Sequence, residues 1–268
     1  MPFLPINHLN LHYEIAGEHN APTVVFLHGM GSAADDWLLQ VPVFAERQRV
    51  ITVDMRAHGA SRDSGRAFSV ELMADDVAEL LMQLNEPPAH LVGLSLGGCV
   101  ALTLGLQHAA RVRSLTLVNT FARYQPAGRA GLRRLIQRLW LLAFAPAPEV
   151  AQFVAEGLFP KPEQKPLREA AVASLSRNPK RTYRNAMRAI AKFDLRAQLS
   201  RIACPTLIVV GDRDRTVPFA ASETLLNGIP GARRLVVADS GHATPIDQPD
   251  LFNRAVLDFI ERTDDGGR

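Results

Sequence analysis

The 268-residue chain has little cysteine and no long apolar run. Its two cysteines, Cys99 and Cys204, form neither a CxxC pair nor a Cys/His metal spacing, which argues against a disulfide framework and a zinc site. No apolar stretch reaches the roughly 18–20 residues that cross a bilayer, so we expect no membrane insertion. The first residues lack a basic stretch followed by an apolar run. We therefore expect no signal peptide and a cytoplasmic protein with reduced thiols.

The chain also lacks a strong overall charge, but its charges are unevenly distributed. A net charge of +3 argues neither for nor against nucleic acid, and we expect a small-molecule substrate rather than a nucleic-acid partner. Residues 121–203 hold 12 Arg and 4 Lys against 4 Glu and 1 Asp, a net charge of +11, and the rest of the chain carries −8. An asymmetry of this size within one chain calls for a physical reason.

Short runs of Val, Ile and Leu alternate with helical patterns, which predicts an α/β fold. These runs are typical of strands buried on both faces of a parallel sheet, and they lie at residues 23–27, 50–53, 91–92, 115–118, 207–210 and 235–237. Helical periodicity is present at 69–84, with Ser69 as a candidate N-cap, and at 250–260. Residues 9–14 alternate as an antiparallel edge strand of a hairpin would, and residues 264–268 are predicted to be a loose tail.

The alternation of strands and helices breaks after Thr120. Residues 121–203 contain helical stretches, seven prolines and no convincing strand, and a strand pattern returns at 205–210. We therefore predict that residues 1–120 and 204–268 form the core, a mostly parallel central sheet flanked by helices. Residues 121–203 would form a helical cap inserted between two strands.

The pentapeptide Gly93-Leu94-Ser95-Leu96-Gly97 carries the first chemical signal. It lies between a predicted strand and a predicted helix, which is the context that the G-x-S-x-G nucleophile elbow requires. The turn is so sharp that residues two positions from the serine must be small, and Gly93 and Gly97 meet that need. The alternative interpretation is a glycine-rich strand–helix turn, with or without a phosphate ligand. The glycine spacing does not fit G-x-G-x-x-G, which disfavours a dinucleotide site.

Polar residues follow three other predicted strands. The loop that begins with His28 contains Met30, whose backbone N–H we expect to form an oxyanion hole with the N–H of Leu96. We interpret His28 itself as a structural residue of that loop. After the strand at 207–210, Asp212 and Asp214 compete for the role of the acid, because Asp212 is also suited to shaping the turn.

His242 follows the last predicted strand, at 235–237, and is the candidate base. A histidine in this position is also compatible with an ordinary surface loop. The candidate residues nevertheless occur in the order Ser, Asp, His along the chain, which is the order associated with the α/β-hydrolase fold.

With these motifs the sequence resembles the α/β-hydrolase superfamily, and within it the group of cap-bearing esterases, 3-oxoadipate enol-lactonases and cofactor-free haloperoxidases. The resemblance spans nearly the whole chain except the predicted cap; its motifs are His28-Gly29-Met30-Gly31, residues 54–61, the elbow, residues 211–218 and Gly241-His242. In the family's Gly-x-x-Asp-x-x-x-Pro element the acid is the fourth residue, which implies Asp214. The family usually has glycine where this chain has Ala57, a departure that concerns loop shape. Asp54, Arg56 and His58 are interpreted as structural.

The resemblance implies a Ser-His-Asp triad of Ser95, His242 and Asp214 that hydrolyses a carboxylic ester or lactone through an acyl-enzyme without metal or cofactor. Related dehalogenases and epoxide hydrolases have Asp at the nucleophile position, so Ser95 disfavours an alkyl-enzyme route. Two alternatives stay open: a C–C bond hydrolase of a ring-cleavage diketone acid, and a non-catalytic receptor for a small ligand.

The basic balance of the predicted cap suggests a preference for acidic substrates. The candidate substrate-binding residues there are Arg123, Arg129, Arg133, Arg134 and Trp140. The alternatives are that the arginines coat solvated helix faces and that Trp140 belongs to the cap core or the pocket wall. A membrane-surface role for residues 129–140 is a further, less favoured possibility.

Overall fold

The computed structural model describes residues 2–61 and 67–266 of the chain. Its strands are β1 (Phe3–Ile6), β2 (Leu9–Ala16), β3 (Thr23–Leu27), β4 (Arg49–Val53), β5 (Ala89–Leu94), β6 (Val112–Val118), β7 (Thr206–Gly211) and β8 (Arg233–Val237). Its helices are α1 (Val41–Phe44), α2 (Val70–Gln83), α3 (Leu96–Gln107), α4 (Gly128–Phe144), α5 (Ala147–Leu158), α6 (Lys165–Leu175), α7 (Lys180–Lys192), α8 (Phe219–Gly228), α9 (Thr244–Asp247) and α10 (Pro249–Asp264). Short 3-10 helices lie at Ala34–Trp37, Ala109–Arg111, Pro162–Gln164 and Arg196–Arg201.

The strands form one sheet in the order β1-β2-β4-β3-β5-β6-β7-β8. The pairs β1–β2 and β2–β4 are antiparallel, and every later pair is parallel. This is the mostly parallel sheet with flanking helices that the sequence predicts, and the α/β fold class is confirmed. Because parallel strands end at the same edge, the loops after β3, β5, β6, β7 and β8 all leave the sheet on one side.

Both ends of the sheet differ from the sequence-based expectation. The segment at 9–14 is antiparallel as predicted, but it is an inner strand, because β1 pairs with it and forms the edge. The sequence pattern did not reveal β1. At the other end, β8 lies at the edge and four of its five residues are exposed or half-buried, so the expectation of a strand buried on both faces is wrong there. An edge strand has one neighbour, which leaves part of its surface to solvent.

The helices begin and pack as their sequences indicate. The predicted N-cap of α2 is confirmed, since the Ser69 hydroxyl accepts a hydrogen bond from the Leu72 N–H at 3.2 Å. Helix α3, directly after the elbow, is buried over most of its length, which explains why its residues are apolar on all sides. No helix among the described residues is long and apolar enough to span a membrane.

The helices α4, α5, α6 and α7 all lie between β6 and β7. We call residues 121–203, which contain them, the inserted helical segment. The prediction of a loose tail is wrong at its first residue, because Asp264 is the last residue of α10. Its Oδ1 lies 3.0 Å from His90 Nε2 and forms an ion pair with Arg113 Nε at 2.6 Å. Residues 267 and 268 of that tail lie outside the described residues.

Candidate active site

Ser95 occupies a strained turn between β5 and α3. Its φ of 55° and ψ of −111° are rare for a residue with a side chain, and they leave the serine half-buried at the edge of the sheet. A Cβ on Gly93 would lie 2.4 Å from the Gly97 carbonyl oxygen, and one on Gly97 would lie 2.1 Å from the Leu27 carbonyl oxygen. The two glycines therefore permit the close packing of β3, β5 and α3 on which the turn depends.

His242 and Asp214 form a buried pair. The distance between His242 Nδ1 and Asp214 Oδ2 is 2.7 Å, and the two side chains are only 4% and 2% exposed. The other carboxylate oxygen, Asp214 Oδ1, accepts hydrogen bonds from the backbone N–H groups of Thr216 at 2.7 Å and Val217 at 3.0 Å. Those two backbone donors fix the plane of the carboxylate, which leaves Oδ2 directed at the imidazole.

Asp212, the competing candidate, has a different environment. Its side chain is 39% exposed, and its Oδ1 accepts a hydrogen bond from the Ser240 N–H at 3.3 Å. Asp212 thus ties the loop after β7 to the loop after β8, and it is Asp214 whose carboxylate contacts His242.

Asn119, at the end of β6, connects the same two loops from beneath. Its Oδ1 accepts a hydrogen bond from the Gly211 N–H at 2.9 Å, and its Nδ2 donates to the His242 carbonyl oxygen at 2.7 Å and to Thr244 Oγ1 at 2.8 Å. The residue is 2% exposed and has a φ of 44°. The sequence analysis did not single it out. Its position directly after a strand, at the same edge of the sheet as the other candidates, could have identified it.

His28 has the structural role assigned to it. The Met55 N–H donates to His28 Nε2 at 3.0 Å, so Nδ1 carries the ring proton and donates to the Gly29 carbonyl oxygen at 2.7 Å. Burial, together with the neighbouring His58, lowers the pKa of His28 to about 3. A neutral, fully bonded imidazole holds this loop in place, and Met30 in the same loop lines the cavity described next.

Residues 54–58 form a buried polar network that supports the loop. Asp54 accepts hydrogen bonds from the Ala34 N–H at 2.7 Å and the Ala60 N–H at 2.8 Å, and Arg56 forms an ion pair with Asp76 at 2.6 Å. His58 Nδ1 bonds to the Arg56 carbonyl oxygen at 2.9 Å. Every contact is internal to the fold, in agreement with the structural interpretation of Asp54, Arg56 and His58.

A cavity of about 440 Å³ lies over this edge of the sheet, and both Ser95 and His242 line it. Apolar side chains from the inserted helical segment make up much of its opposite wall, among them Leu135, Phe153, Leu158, Leu167, Leu175, Met187 and Ile190. The cavity therefore combines the Ser95 hydroxyl and the His242 imidazole with a largely apolar lining, which is suited to a small organic molecule.

Of the five candidate substrate-binding residues, the structure places one at the cavity. Arg134 lines it, whereas Arg129 and Arg133 are exposed and outside it. Arg123 also lies outside it, with its Nη1 3.6 Å from Asp194 Oδ2, and Trp140 is 58% exposed against Phe144.

Arg138, which the sequence analysis passed over, does line the cavity. It lies four residues after Arg134 on α4, and this spacing of one helical turn places two residues on one face. This spacing could have identified Arg138 from the sequence as a neighbour of Arg134.

The family to which the chain belongs follows from comparison with known proteins. The model of the α/β hydrolase fold family matches residues 22–249. The chain is 32% identical to 3-oxoadipate enol-lactonase 1 of Acinetobacter baylyi, over 94% of this chain and 93% of that protein. It is 34% identical to a putative carbamate hydrolase RutD of Azorhizobium caulinodans, over 98% of this chain and 100% of that one. The chain therefore belongs to the α/β-hydrolase fold family, as the motifs predict, and it is a hydrolase.

The crystal structure of the enol-lactonase from Burkholderia xenovorans is also similar. It superimposes with a TM-score of 0.89 at 27% identity and covers 97% of this chain and 100% of that one. A match over 97% of this chain is too long to exclude the inserted helical segment, so the two proteins share their fold in that segment as well as in the sheet.

Proposed function

We propose that the protein is a serine hydrolase that cleaves a carboxylic ester or lactone of a small molecule through an acyl-enzyme. Ser95 is the nucleophile, His242 the base and Asp214 the residue that orients the base. The observation that carries the proposal is the 2.7 Å contact between His242 Nδ1 and Asp214 Oδ2, beside a cavity that Ser95 also lines. With Nδ1 bound to a carboxylate, the ring presents Nε2 as the nitrogen that takes a proton.

The proposed reaction has two steps. Ser95 Oγ attacks the carbonyl carbon as its proton passes to His242 Nε2, and that proton then goes to the departing alkoxide, which leaves the acyl group on Ser95. In the second step water attacks the acyl-enzyme and gives a proton to His242 Nε2, which passes that proton to Ser95 Oγ as the carboxylic acid is released. In a lactone the alkoxide is part of the same molecule, so one ring-opened acid leaves the site.

The developing oxyanion would be bound by two backbone donors. Leu96 is the first residue of α3, so its N–H has no acceptor within the helix and points from the positive end of the helix dipole. Met30 belongs to the loop that His28 holds and lines the same cavity. Each such donor contributes about 3 kcal/mol to stabilisation of the transition state in known hydrolases.

The inserted helical segment, residues 121–203, acts in this proposal as a cap. It supplies the apolar wall opposite Ser95, which excludes bulk water and selects the acyl group. The names of the relatives suggest which bonds to test, because one is an enol-lactonase and another a putative carbamate hydrolase. Each of these bonds has an acyl carbon that a serine can attack.

A fluorophosphonate probe tests the nucleophile directly. We expect covalent labelling of Ser95 in the wild type and its loss in Ser95→Ala, while Ser32→Ala serves as the matched control because it removes another hydroxyl from the same cavity wall. His242→Ala is expected to label far more slowly. Folded protein that is not labelled at Ser95 would contradict the proposal and favour a non-catalytic receptor.

A substrate panel then identifies the bond. Neutral esters, an enol-lactone, a carbamate and a ring-cleavage diketone acid are assayed side by side with wild type and Ser95→Ala. The proposal expects the largest kcat/KM on an ester or lactone and loss of turnover in the variant. Preferred cleavage of the diketone would assign the protein to C–C bond hydrolysis instead.

A further inference from the structure

Three arginines line the cavity: Arg177 is exposed, whereas Arg134 and Arg138 are half-buried, and of these two Arg138 has no counter-charge in the described part of the chain. Among the described residues, Arg138 forms no ion pair, and its Nε is inaccessible to solvent and has no hydrogen-bond partner. Its guanidinium lies 5.0 Å from the centroid of the Tyr183 ring, so an aromatic face takes the place that a carboxylate usually occupies beside a buried arginine. A buried charge of this kind is costly unless something pairs with it.

The neighbouring cation is in a different situation. Arg134 experiences the carboxylates of Glu156 and Asp214, which oppose the lowering of its pKa by burial and by Arg215. It also donates from Nη2 to the Phe153 carbonyl oxygen at 3.5 Å. Arg134 is thus partly compensated by the protein, whereas Arg138 is not.

Arg138 nevertheless stays charged in neutral solution. Burial lowers its pKa to about 10, with Tyr124 acting in the opposite direction and Arg134 adding to the decrease. The cavity therefore contains a desolvated guanidinium with free donors, and such a group binds a carboxylate more strongly than an exposed arginine does.

The acidic side chains of the cavity do not supply the missing partner. Asp35 and Asp36 come from the loop after β3, and in the part of the chain that the structure describes neither forms an ion pair; the Asp36 carboxylate accepts a hydrogen bond from the Ser32 hydroxyl. Burial, opposed by that hydrogen bond and assisted by Asp35, raises the pKa of Asp36 to about 6, so part of it is protonated near neutrality. The positive charge of Arg138 is left for a ligand.

We propose that Arg138 binds a carboxylate of the substrate, which makes the preferred substrate an ester or lactone that carries a free carboxylate beyond its scissile acyl group. The inference rests on the proposed function, since it places the scissile carbonyl at Ser95. Ser95 and Arg138 line the same cavity, and many of its other lining residues are apolar, Leu135 and Phe121 among them, so a hydrocarbon chain suits the link between the two ends of the substrate. Arg138 is in this view a specificity-determining residue.

A matched series of esters tests the proposal. Mono-p-nitrophenyl esters of succinate, glutarate, adipate and suberate are compared with the same compounds capped as neutral methyl esters. In the wild type we expect the carboxylate form to have a kcat/KM about 10–100 times that of its capped form at one optimal chain length, which is the range for a charge-assisted hydrogen bond. Added salt should change this ratio little, because the pair is buried.

The variants assign the effect to a residue. Arg138→Gln should abolish the carboxylate preference, so that the ratio of kcat/KM between the charged ester and its capped form falls to about 1. Arg138→Lys, which keeps the charge but loses the planar fork, should retain part of the preference. Arg133→Gln is the matched control, because Arg133 is exposed on the same helix and lies outside the cavity. It should leave the preference unchanged.

The outcomes separate this proposal from the proposed function. Two outcomes would overturn the carboxylate proposal: equal kcat/KM for charged and capped esters in the wild type, or a preference that is undiminished in Arg138→Gln. If Arg138→Gln does not fold, an undiminished preference in Arg138→Lys would overturn the proposal instead. Hydrolysis of neither form together with no labelling of Ser95 would instead refute the serine hydrolase. In that event, calorimetric binding of adipate to Ser95→Ala, and its loss in the double variant with Arg138→Gln, tests the carboxylate site by itself.

Discussion

The substitution Asp214→Asn provides the sharpest test of the site, because the structure dictates how the new amide must lie. One carboxylate oxygen accepts hydrogen bonds from the N–H groups of Thr216 and Val217 at 2.7 and 3.0 Å. An asparagine must place its carbonyl oxygen in the position of that carboxylate oxygen, because an NH2 group there would face two N–H donors and find no acceptor. Its NH2 group then faces His242 Nδ1 and donates to it, so the ring proton moves to Nε2. In the proposed mechanism Nε2 takes the proton of Ser95, and a protonated Nε2 can no longer do so.

The expected loss is therefore large. A tautomer error of this kind lowers kcat about 10⁴-fold in serine hydrolases with a comparable triad, which corresponds to about 5.4 kcal/mol of activation free energy. The assay is kcat for a p-nitrophenyl ester, with circular dichroism melts to show that the variant is folded. Asp212→Asn is the control: its carbonyl oxygen can still accept from the Ser240 N–H, so activity should stay within about threefold. Full activity in Asp214→Asn combined with a large loss in Asp212→Asn would refute the assignment of the acid.

Three further predictions concern the support of the site. Asn119→Ala removes the donor to the His242 carbonyl oxygen, and we expect kcat to fall about 10-fold or more with KM nearly unchanged and the pH profile displaced, measured by steady-state kinetics. The pKa of Asp36 is about 6 in the folded protein against an ordinary 3.8, so the side chain contributes to stability below about pH 4 and this contribution is lost as the pH rises through 6. Asp36→Asn should therefore raise the free energy of unfolding by about 1–3 kcal/mol near pH 8 but not near pH 4, measured by urea unfolding. Arg56→Met leaves the buried Asp76 carboxylate without its cation and should cost about 3–5 kcal/mol by urea unfolding. The double variant Arg56→Met/Asp76→Asn leaves no unpaired charge and should cost less, so an equal loss in the double variant would contradict the reasoning.

The sheet and the position of the candidate residues at one of its edges could be predicted because they depend on short-range signals and one topological rule. Apolar runs identify the parallel strands, and the rule that their carboxyl ends meet at one edge brings residues 95, 214 and 242 together without any knowledge of packing. Asn119 satisfies the same rule and could have been found by applying it to β6. It was missed because a neutral amide is not a candidate nucleophile, acid or base, although its four polar contacts join the loops after β7 and β8.

The choice between Asp212 and Asp214 needed more than the rule. Both follow β7, and only the path of the turn decides which carboxylate reaches the imidazole. In the structure the backbone N–H groups two and three residues after Asp214 bend back onto its Oδ1, an arrangement that the resemblance to a family could imply but local propensity could not. The backbone at Ala57 is a similar case: its φ of 68° explains why glycine is usual in that position, and no propensity scale would predict that alanine holds the same turn.

Helix α4 shows why the binding residues were the hardest to predict. Its apolar residues Leu132, Ile136, Leu139, Trp140 and Phe144 are spaced as a buried stripe would be, yet all five are exposed, while Arg134 and Arg138 face the cavity. Hydrophobic periodicity therefore predicts the wrong inward face for this helix, because the larger apolar stripe is ordinarily the face that is buried. An inward face that contains two arginines is favourable only where a cavity lets those cations meet a partner of opposite charge, and the proposed substrate carboxylate would be that partner for Arg138.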